Sequence, residues 1–174
     1  MSTFDSTKRS LPDILSDIVK GKVQLPDFQR GWVWDDDHIR SLLVSIARSF
    51  PVGAVMLLET GGEARFQLRP VEGVELPPGS SPELLILDGQ QRLTTLTQVL
   101  ALKTAVKTRT DKGKAIQRHY YWHIPTALEG GERLEDAIIA VEEDKVERTN
   151  FGKDIKLDLT TSEKECAQIG RAHV

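Results

Sequence analysis

The sequence predicts a mixed α/β (or α+β) domain, a mixed sheet with helices packed on it. Apolar residues recur at helical spacing over Leu11–Lys20 and again over Ile39–Ala47. Short continuous apolar runs at Val52–Leu58 and Leu84–Leu87 suit strands inside a sheet. An Asp88-Gly89 turn then joins the second run to a third amphipathic stretch, which gives the order strand, turn, helix. At 174 residues, 39% hydrophobic and 28% charged, the chain is long enough for one ordinary domain with a real core.

The first helix is expected over Leu11–Lys20, with Leu11, Ile14, Leu15, Ile18 and Val19 as its apolar stripe. Ser10 is its N-cap, Pro12 sits early where its missing N–H costs little, and Gly21 ends it. Val23-Gln-Leu is extended and runs into Pro26. Pro26-Asp-Phe-Gln-Arg-Gly-Trp-Val-Trp34 then reads as an ordered loop. Asp35, Asp36 and Asp37 favour the positive end of a second helix, whose buried face is Ile39, Leu42, Leu43, Ile46 and Ala47 and which Pro51 stops. Arg65–Leu68 is the expected return strand of Val52–Leu58, with Gly61-Gly62 as the turn. Pro70–Pro82, rich in Pro, Gly and Ser, is a loop. The helix after Asp88-Gly89 continues on Leu93, Leu96, Val99, Leu100 and Val106 to about Lys107, and His119–Ile124 and Ile155–Leu159 are further strands.

Charge excludes some classes. With 23 Lys and Arg against 26 Asp and Glu, the net charge of −3 is not that of a basic nucleic-acid coat protein. The charges are nevertheless segregated. Arg92, Lys103, Lys107, Arg109, Lys112, Lys114 and Arg118 stand against Asp111 alone, while eight acids between Glu129 and Glu147 face only Arg133 and Lys145. Either these are two solvated surfaces, or the first is a basic face along a phosphate path. The single cysteine, Cys166, cannot form an intramolecular disulfide, and no apolar run is long enough for a signal sequence or a membrane span. A soluble cytoplasmic protein is expected, with no membrane partner.

The C-terminal Gln168-Ile-Gly-Arg-Ala-His-Val has neither cap nor apolar pattern and matches one reading frame of a common short-read sequencing adapter. The domain is therefore read as residues 1–167, C-terminally truncated, with 168–174 as a scar.

The sharpest chemical feature is Asp88-Gly-Gln-Gln-Arg-Leu-Thr-Thr95 between strand and helix. Gly89 permits a tight turn that leaves the amides of Gln90, Gln91 and Arg92 free at a helix start, a place suited to an anion. Arg92 offers a fork for phosphate oxygens, the two glutamines offer neutral donors and acceptors, and Asp88 can hold a metal, orient water or bond a ribose hydroxyl. Thr94 and Thr95 sit one turn on. The plain alternative makes Asp88 an N-cap, leaves Gln90 and Gln91 solvated and pairs Arg92 with a surface acid. No Gly-Lys-Ser/Thr follows Gly89, so this is not a P-loop. The second feature is the Pro26–Trp34 loop, where Gln29 and Arg30 can reach a ligand and two of Phe28, Trp32 and Trp34 anchor the core. Two Gln-Arg pairs on separate loops suggest one converging anion site. His38, His119, His123 and His173 lack zinc spacing, and no serine sits in a nucleophile elbow.

Pro26-Asp-Phe-Gln-Arg-Gly-Trp-Val-Trp34, the capped helix, Phe50-Pro-Val-Gly53 and Leu87-Asp-Gly-Gln-Gln-Arg-Leu-Thr-Thr95, in that order, resemble the N-terminal domain of GmrSD-type restriction proteins, within the ParB/sulfiredoxin-like superfamily. The resemblance runs from about Leu11 to Ala167. It implies an NTP-binding and NTP-hydrolysing module of anti-phage defence, with DNA, often with modified bases, as the target. The phosphoryl-transfer chemistry in turn calls for a divalent metal, Mg2+, as cofactor. It also implies an HNH-type nuclease domain in a missing C-terminal part or a partner chain, and is compatible with oligomers. Carried over by position, Asp88, Gly89, Gln90, Gln91 and Arg92 match the family's Asp-Gly-Gln-Gln-Arg motif, and Gln29 and Arg30 its aromatic-Gln-Arg motif. Within them the chemistry points to Asp88, Gln91 and Arg92 as catalytic, with Arg92 the phosphate ligand, Asp88 the metal or water holder and Gln91 an orienting group. Gln29, Arg30, Gly89, Gln90, Thr94 and Thr95 are the expected nucleotide-binding residues. Phe28 stands where a Tyr is usual, so no phenolic hydroxyl is offered there. The alternatives kept open are a non-enzymatic ParB-like DNA-binding or scaffold module, and a nuclease with metal held by acids around Asp88.

Overall fold

The computed structural model describes residues 6–61, 66–102, 104–149 and 153–164. Its elements follow from local chemistry. Helix α1 (Leu11–Val19) begins where the Ser10 hydroxyl accepts from the Asp13 amide at 3.2 Å. It ends at Gly21, whose φ of +77° an L side chain rarely adopts. Strand β1 (Val23–Pro26) is buried at all four positions, which explains why it shows no alternation. Helix α2 (Asp36–Ala47) is capped by Asp35, which accepts from the His38 amide at 3.0 Å.

A four-stranded sheet is built from β1, β2 (Met56–Glu59), β3 (Leu68–Arg69) and β4 (Leu84–Asp88), in the order β2-β4-β1-β3. Strand β4 runs parallel to β1 and antiparallel to β2, and β3 is antiparallel to β1. The expected hairpin of Val52–Leu58 with Arg65–Leu68 is therefore corrected. The first of these strands starts only at Met56, because Gly53 takes φ +92° and the Val52 and Ala54 carbonyls are bonded elsewhere. The return segment pairs with β1 instead, while Gly62 and Arg65 lie outside the described residues.

Helix α3 (Gln90–Leu96) continues as a π-helical segment over Thr97–Leu102, so the helix expected to reach Lys107 stops earlier. Val106 opens β5 (Val106–Arg109), which pairs with β6 (Ala115–Trp122) and through it β7 (Ile138–Glu142) in a second, antiparallel sheet. The sixth strand thus begins before His119 and ends before Ile124, which starts α4 (Ile124–Glu129) with His123 as its cap. A short 3-10 turn (Gly131–Leu134) follows, and β8 (Val146–Thr149) pairs with β9 (Asp154–Asp158).

One core, including Leu15, Ile18, Val23, Leu25, Ile39, Leu42, Ile86, Leu93 and Leu96, spans the first sheet and its helices and takes in Val106 and Ile138 of the second sheet. Asp36 ties α2 to that second sheet, accepting from Arg118 at 2.8 Å and from the Tyr120 hydroxyl at 2.7 Å. A smaller cluster of Tyr121, Val141 and Leu159 lies beyond it. Among the described residues no helix is long and apolar enough to cross a membrane.

Candidate functional site

The bend after β4 is as tight as its sequence requires. Gly89 has φ +86° and caps α3 without any side-chain bond, so Asp88 is not the N-cap. A Cβ on Gly89 would meet Val55 Cγ2 at 3.0 Å and Arg92 Nη2 at 3.3 Å. The first bond of α3 runs from the Leu93 amide to the Gly89 carbonyl at 3.0 Å, which places the Gln90, Gln91 and Arg92 amides ahead of the helical ladder. Gly89 and Gln90 are buried, but the Asp88 side chain is 72% exposed.

The two Gln-Arg segments meet, and they meet through side-chain amides bonded to backbone. Gln29 donates to the Leu87 carbonyl at 2.9 Å and Gln90 to the Arg30 carbonyl at 2.6 Å. Gln91 donates to the Gly31 carbonyl at 3.2 Å and accepts from the Val33 amide at 3.0 Å. One residue further, the Trp32 indole donates to the Thr95 hydroxyl at 3.0 Å. The side-chain amides of the three glutamines, Gln90 buried and Gln29 and Gln91 half-buried, are thus engaged by backbone groups. They zip the 29–34 strip onto the bend.

Arg92 takes the opposite direction. Its guanidinium donates to the Val52 carbonyl, to the Ala54 carbonyl at 2.8 Å and, weakly, to Asp88 at 3.5 Å. The expectation of a free fork is corrected: this arginine clamps the loop before β2. Gly53 suits this loop, since its φ is +92° and a Cβ would displace Arg92 Nη1 from its place. The bend therefore lies between two loops, the Arg30 strip on the β1 side and the Arg92-clamped loop on the β2 side. Arg30 is exposed. Thr94 and Thr95 have no exposed surface, so they support the bend from beneath and offer no surface to a ligand in this conformation. Trp32 and Trp34 pack on the core while Phe28, 61% exposed, meets Phe66 edge-on at 5.4 Å.

Two residues that matter were not anticipated. Arg69 donates to the Gln29 and Arg30 carbonyls, both at 3.1 Å, and Glu72 accepts from the Trp32 amide at 3.0 Å and from Arg69 at 2.9 Å. Their sequence signal is faint: an Arg-Pro-Val-Glu stretch at the start of the Pro-rich loop, with Val71 and Val74 buried as anchors. On the far side of the strip, Arg109 donates to the Val33 carbonyl at 2.8 Å and Thr108 to the Trp34 carbonyl at 2.7 Å. Among the described residues no three His, Cys, Asp or Glu side chains gather at metal-binding range. Cys166 and residues 168–174 lie outside the described residues.

Residues 11–170 match the family described as the GmrSD restriction endonuclease, N-terminal domain, which spans both zipped segments. The chain belongs to this GmrSD N-terminal family. It is also similar to the uncharacterized protein MJ0686 of Methanocaldococcus jannaschii, 36% identical over 95 residues, a stretch covering 51% of this chain. The matched stretch spans only 16% of that relative's length.

Proposed function

We propose that this GmrSD N-terminal domain binds and hydrolyses a nucleoside triphosphate, and that the hydrolysis gates DNA cleavage by an HNH-type nuclease domain elsewhere in the protein or in a partner chain. The observation that carries the reading is the exposed Asp88 carboxylate at the mouth of a rigid left-handed bend, with Arg30 exposed on the strip zipped beside it. Phosphoryl transfer asks mainly for positioning and charge stabilisation. An exposed carboxylate with only a long contact to Arg92, 3.5 Å, fits Mg2+ that arrives on the nucleotide, because that ion usually takes one or two protein carboxylates plus phosphate oxygens and water. When bound, the metal would neutralise phosphate charge. Asp88 is its candidate holder and Arg30 the cation open to phosphate, while Gln29, Gln90 and Gln91 fix the strip that carries Arg30. Arg92 acts through the Val52–Ala54 loop as a positioning residue.

The decisive experiment is phosphate release with Mg2+ and each nucleoside triphosphate in turn, for the wild-type chain and Asp88→Asn. Since the Asp88 side chain is 72% exposed, the variant is expected to keep its folding stability and lose about two orders of magnitude in turnover. No turnover by the wild-type chain, or an unchanged rate in Asp88→Asn, rejects hydrolysis at this site. A second reading, a binding or scaffold module without hydrolysis, draws on the Arg92 guanidinium being bonded to protein carbonyls. It predicts nucleotide binding without phosphate release.

A further inference from the structure

A groove of about 720 Å³ opens on the side of the 29–34 strip away from the zipped glutamines. One wall is Trp32, Val33 and Trp34; the other is the β5–β6 hairpin with Lys107, Arg109 and Lys114. The hairpin's cationic edge follows from its alternation. Val106 and Thr108 turn into the protein, so Lys107 and Arg109 stand exposed on the other face, opposite Gln117 and Ala115 of β6. The turn, closed by the Thr110 amide on the Lys114 carbonyl at 2.9 Å, brings Lys114 beside them. Glu142 and Glu143 line part of the groove as well, with Glu143 accepting from Gln117 at 2.9 Å. Their charge disfavours phosphate near them and confines a polyanion to the lysine side.

Half-buried tryptophans on one wall and cations on the other suit a ligand that is apolar and flat on one side and anionic on the other. Unpaired nucleotides have that form, since each base has a face to stack and each linkage carries one charge. A duplex hides its base faces and would use only the cations. We propose that this groove seats a single-stranded polynucleotide, with phosphates along Lys107, Arg109 and Lys114 and bases against Trp32 and Trp34. The inference extends the reading above and rests only on its DNA part. It also gives a physical route between the two sites: Val33 receives Arg109 on its carbonyl and Gln91 on its amide, so a strand that draws on Arg109 pulls on the strip the bend holds.

The test uses the full chain and a fluorescein-labelled oligothymidylate of about 20 nucleotides, read by anisotropy across a salt series, with a duplex of equal length in parallel. The expected results are tighter binding of the single strand, quenching of tryptophan emission on binding, and about tenfold weaker affinity in the K107E/K114E double variant. The log-log salt slope of that variant should fall by about 1.4, two single-strand phosphate contacts. Preference for the duplex, absent quenching, or unchanged affinity in the double variant overturns the proposal. Phosphate release without oligonucleotide separates it from the reading above. A wild-type chain that turns over nucleotide but ignores the oligonucleotide sinks this inference alone, and the reverse result sinks hydrolysis alone.

Discussion

Gln91 holds Val33 as a neighbouring strand would: its side-chain amide accepts from the Val33 N–H and donates to the Gly31 carbonyl two residues earlier. One glutamine thereby satisfies two backbone groups of a loop that, among the described residues, pairs with no strand along residues 28–35. The residue types of the motif thus follow from backbone pairing. An amide has both a donor and an acceptor at its tip, and an acid or a lysine has only one of them at neutral pH.

Gln91→Glu should therefore fail almost as badly as Gln91→Ala, although it is nearly isosteric. The carboxylate can still accept from Val33 but faces the Gly31 carbonyl with no proton to share. Each variant is expected to lose about 1–2 kcal/mol, the net worth of two ordinary hydrogen bonds, read as a lower urea midpoint with an unchanged slope. Equal stability of Gln91→Glu and the wild-type chain would remove the pairing argument.

Gly53→Ala and Gly61→Ala isolate the Arg92 clamp. Both glycines have positive φ, +92° and +98°, so both substitutions carry a backbone cost of about 1–2 kcal/mol. Only at Gly53 would the added carbon also press on the Arg92 guanidinium, whereas nothing among the described residues lies within 4 Å at Gly61. Gly53→Ala should be the more destabilising by denaturant titration, and Arg92→Lys, which cannot span both carbonyls, should abolish most of that difference in a double-mutant cycle.

Asp36 makes the junction of α2 and the second sheet dependent on pH at the alkaline end. Burial first, and then the bond to the Asp36 carboxylate, push the Tyr120 hydroxyl well above its ordinary 10.0. A raised folded-state value means that the unfolded chain releases this proton first, so the contribution is complete below pH 10 and is lost as pH rises above it. Tyr120→Phe should lower stability at neutral pH by about 1 kcal/mol and flatten the alkaline fall. Asp36→Asn should cost about 2 kcal/mol at neutral pH, because it keeps an acceptor but leaves the half-buried Arg118 charge uncompensated. A pH-stability curve of the three proteins checks both signs.

What could be read in the sequence was mostly local. Ser10 and Asp35 as caps, the left-handed bend at Gly89 and the apolar stripe of α1 all follow from a few adjacent residues. Strand pairing did not, because β3 joins β1 across more than forty residues while its expected partner, β2, is taken by β4. Helical spacing carried Val106 into the helix, whereas its pairing with Arg118 places it in β5. At the candidate site, position was legible and role was not. A glutamine looks the same in sequence whether it meets water, a ligand or a carbonyl. Likewise Arg92 gave no sign that the Val52 and Ala54 carbonyls would take its guanidinium.

Asp35 links the strip to acid stability. Its carboxyl is held below the ordinary 3.8 by the His38 amide it caps and then by the His38 ring, with Arg109 a smaller influence. A depressed value means that this stabilisation is complete above pH 3.8 and fades as pH falls through the lower folded-state value. Asp35→Ala should cost about 1 kcal/mol at neutral pH through loss of the cap. Asp35→Asn caps without titrating, so it should retain most of the neutral stability and weaken the acid limb of the curve. Because Asp35 follows Trp34 directly, uncapping α2 also frees the end of the strip that Gln91 and Arg109 hold. Hydrogen exchange at the Val33 amide should accordingly quicken in Asp35→Ala and stay near the wild-type rate in Asp35→Asn. Equal rates in the two variants would show that the strip is held without the cap.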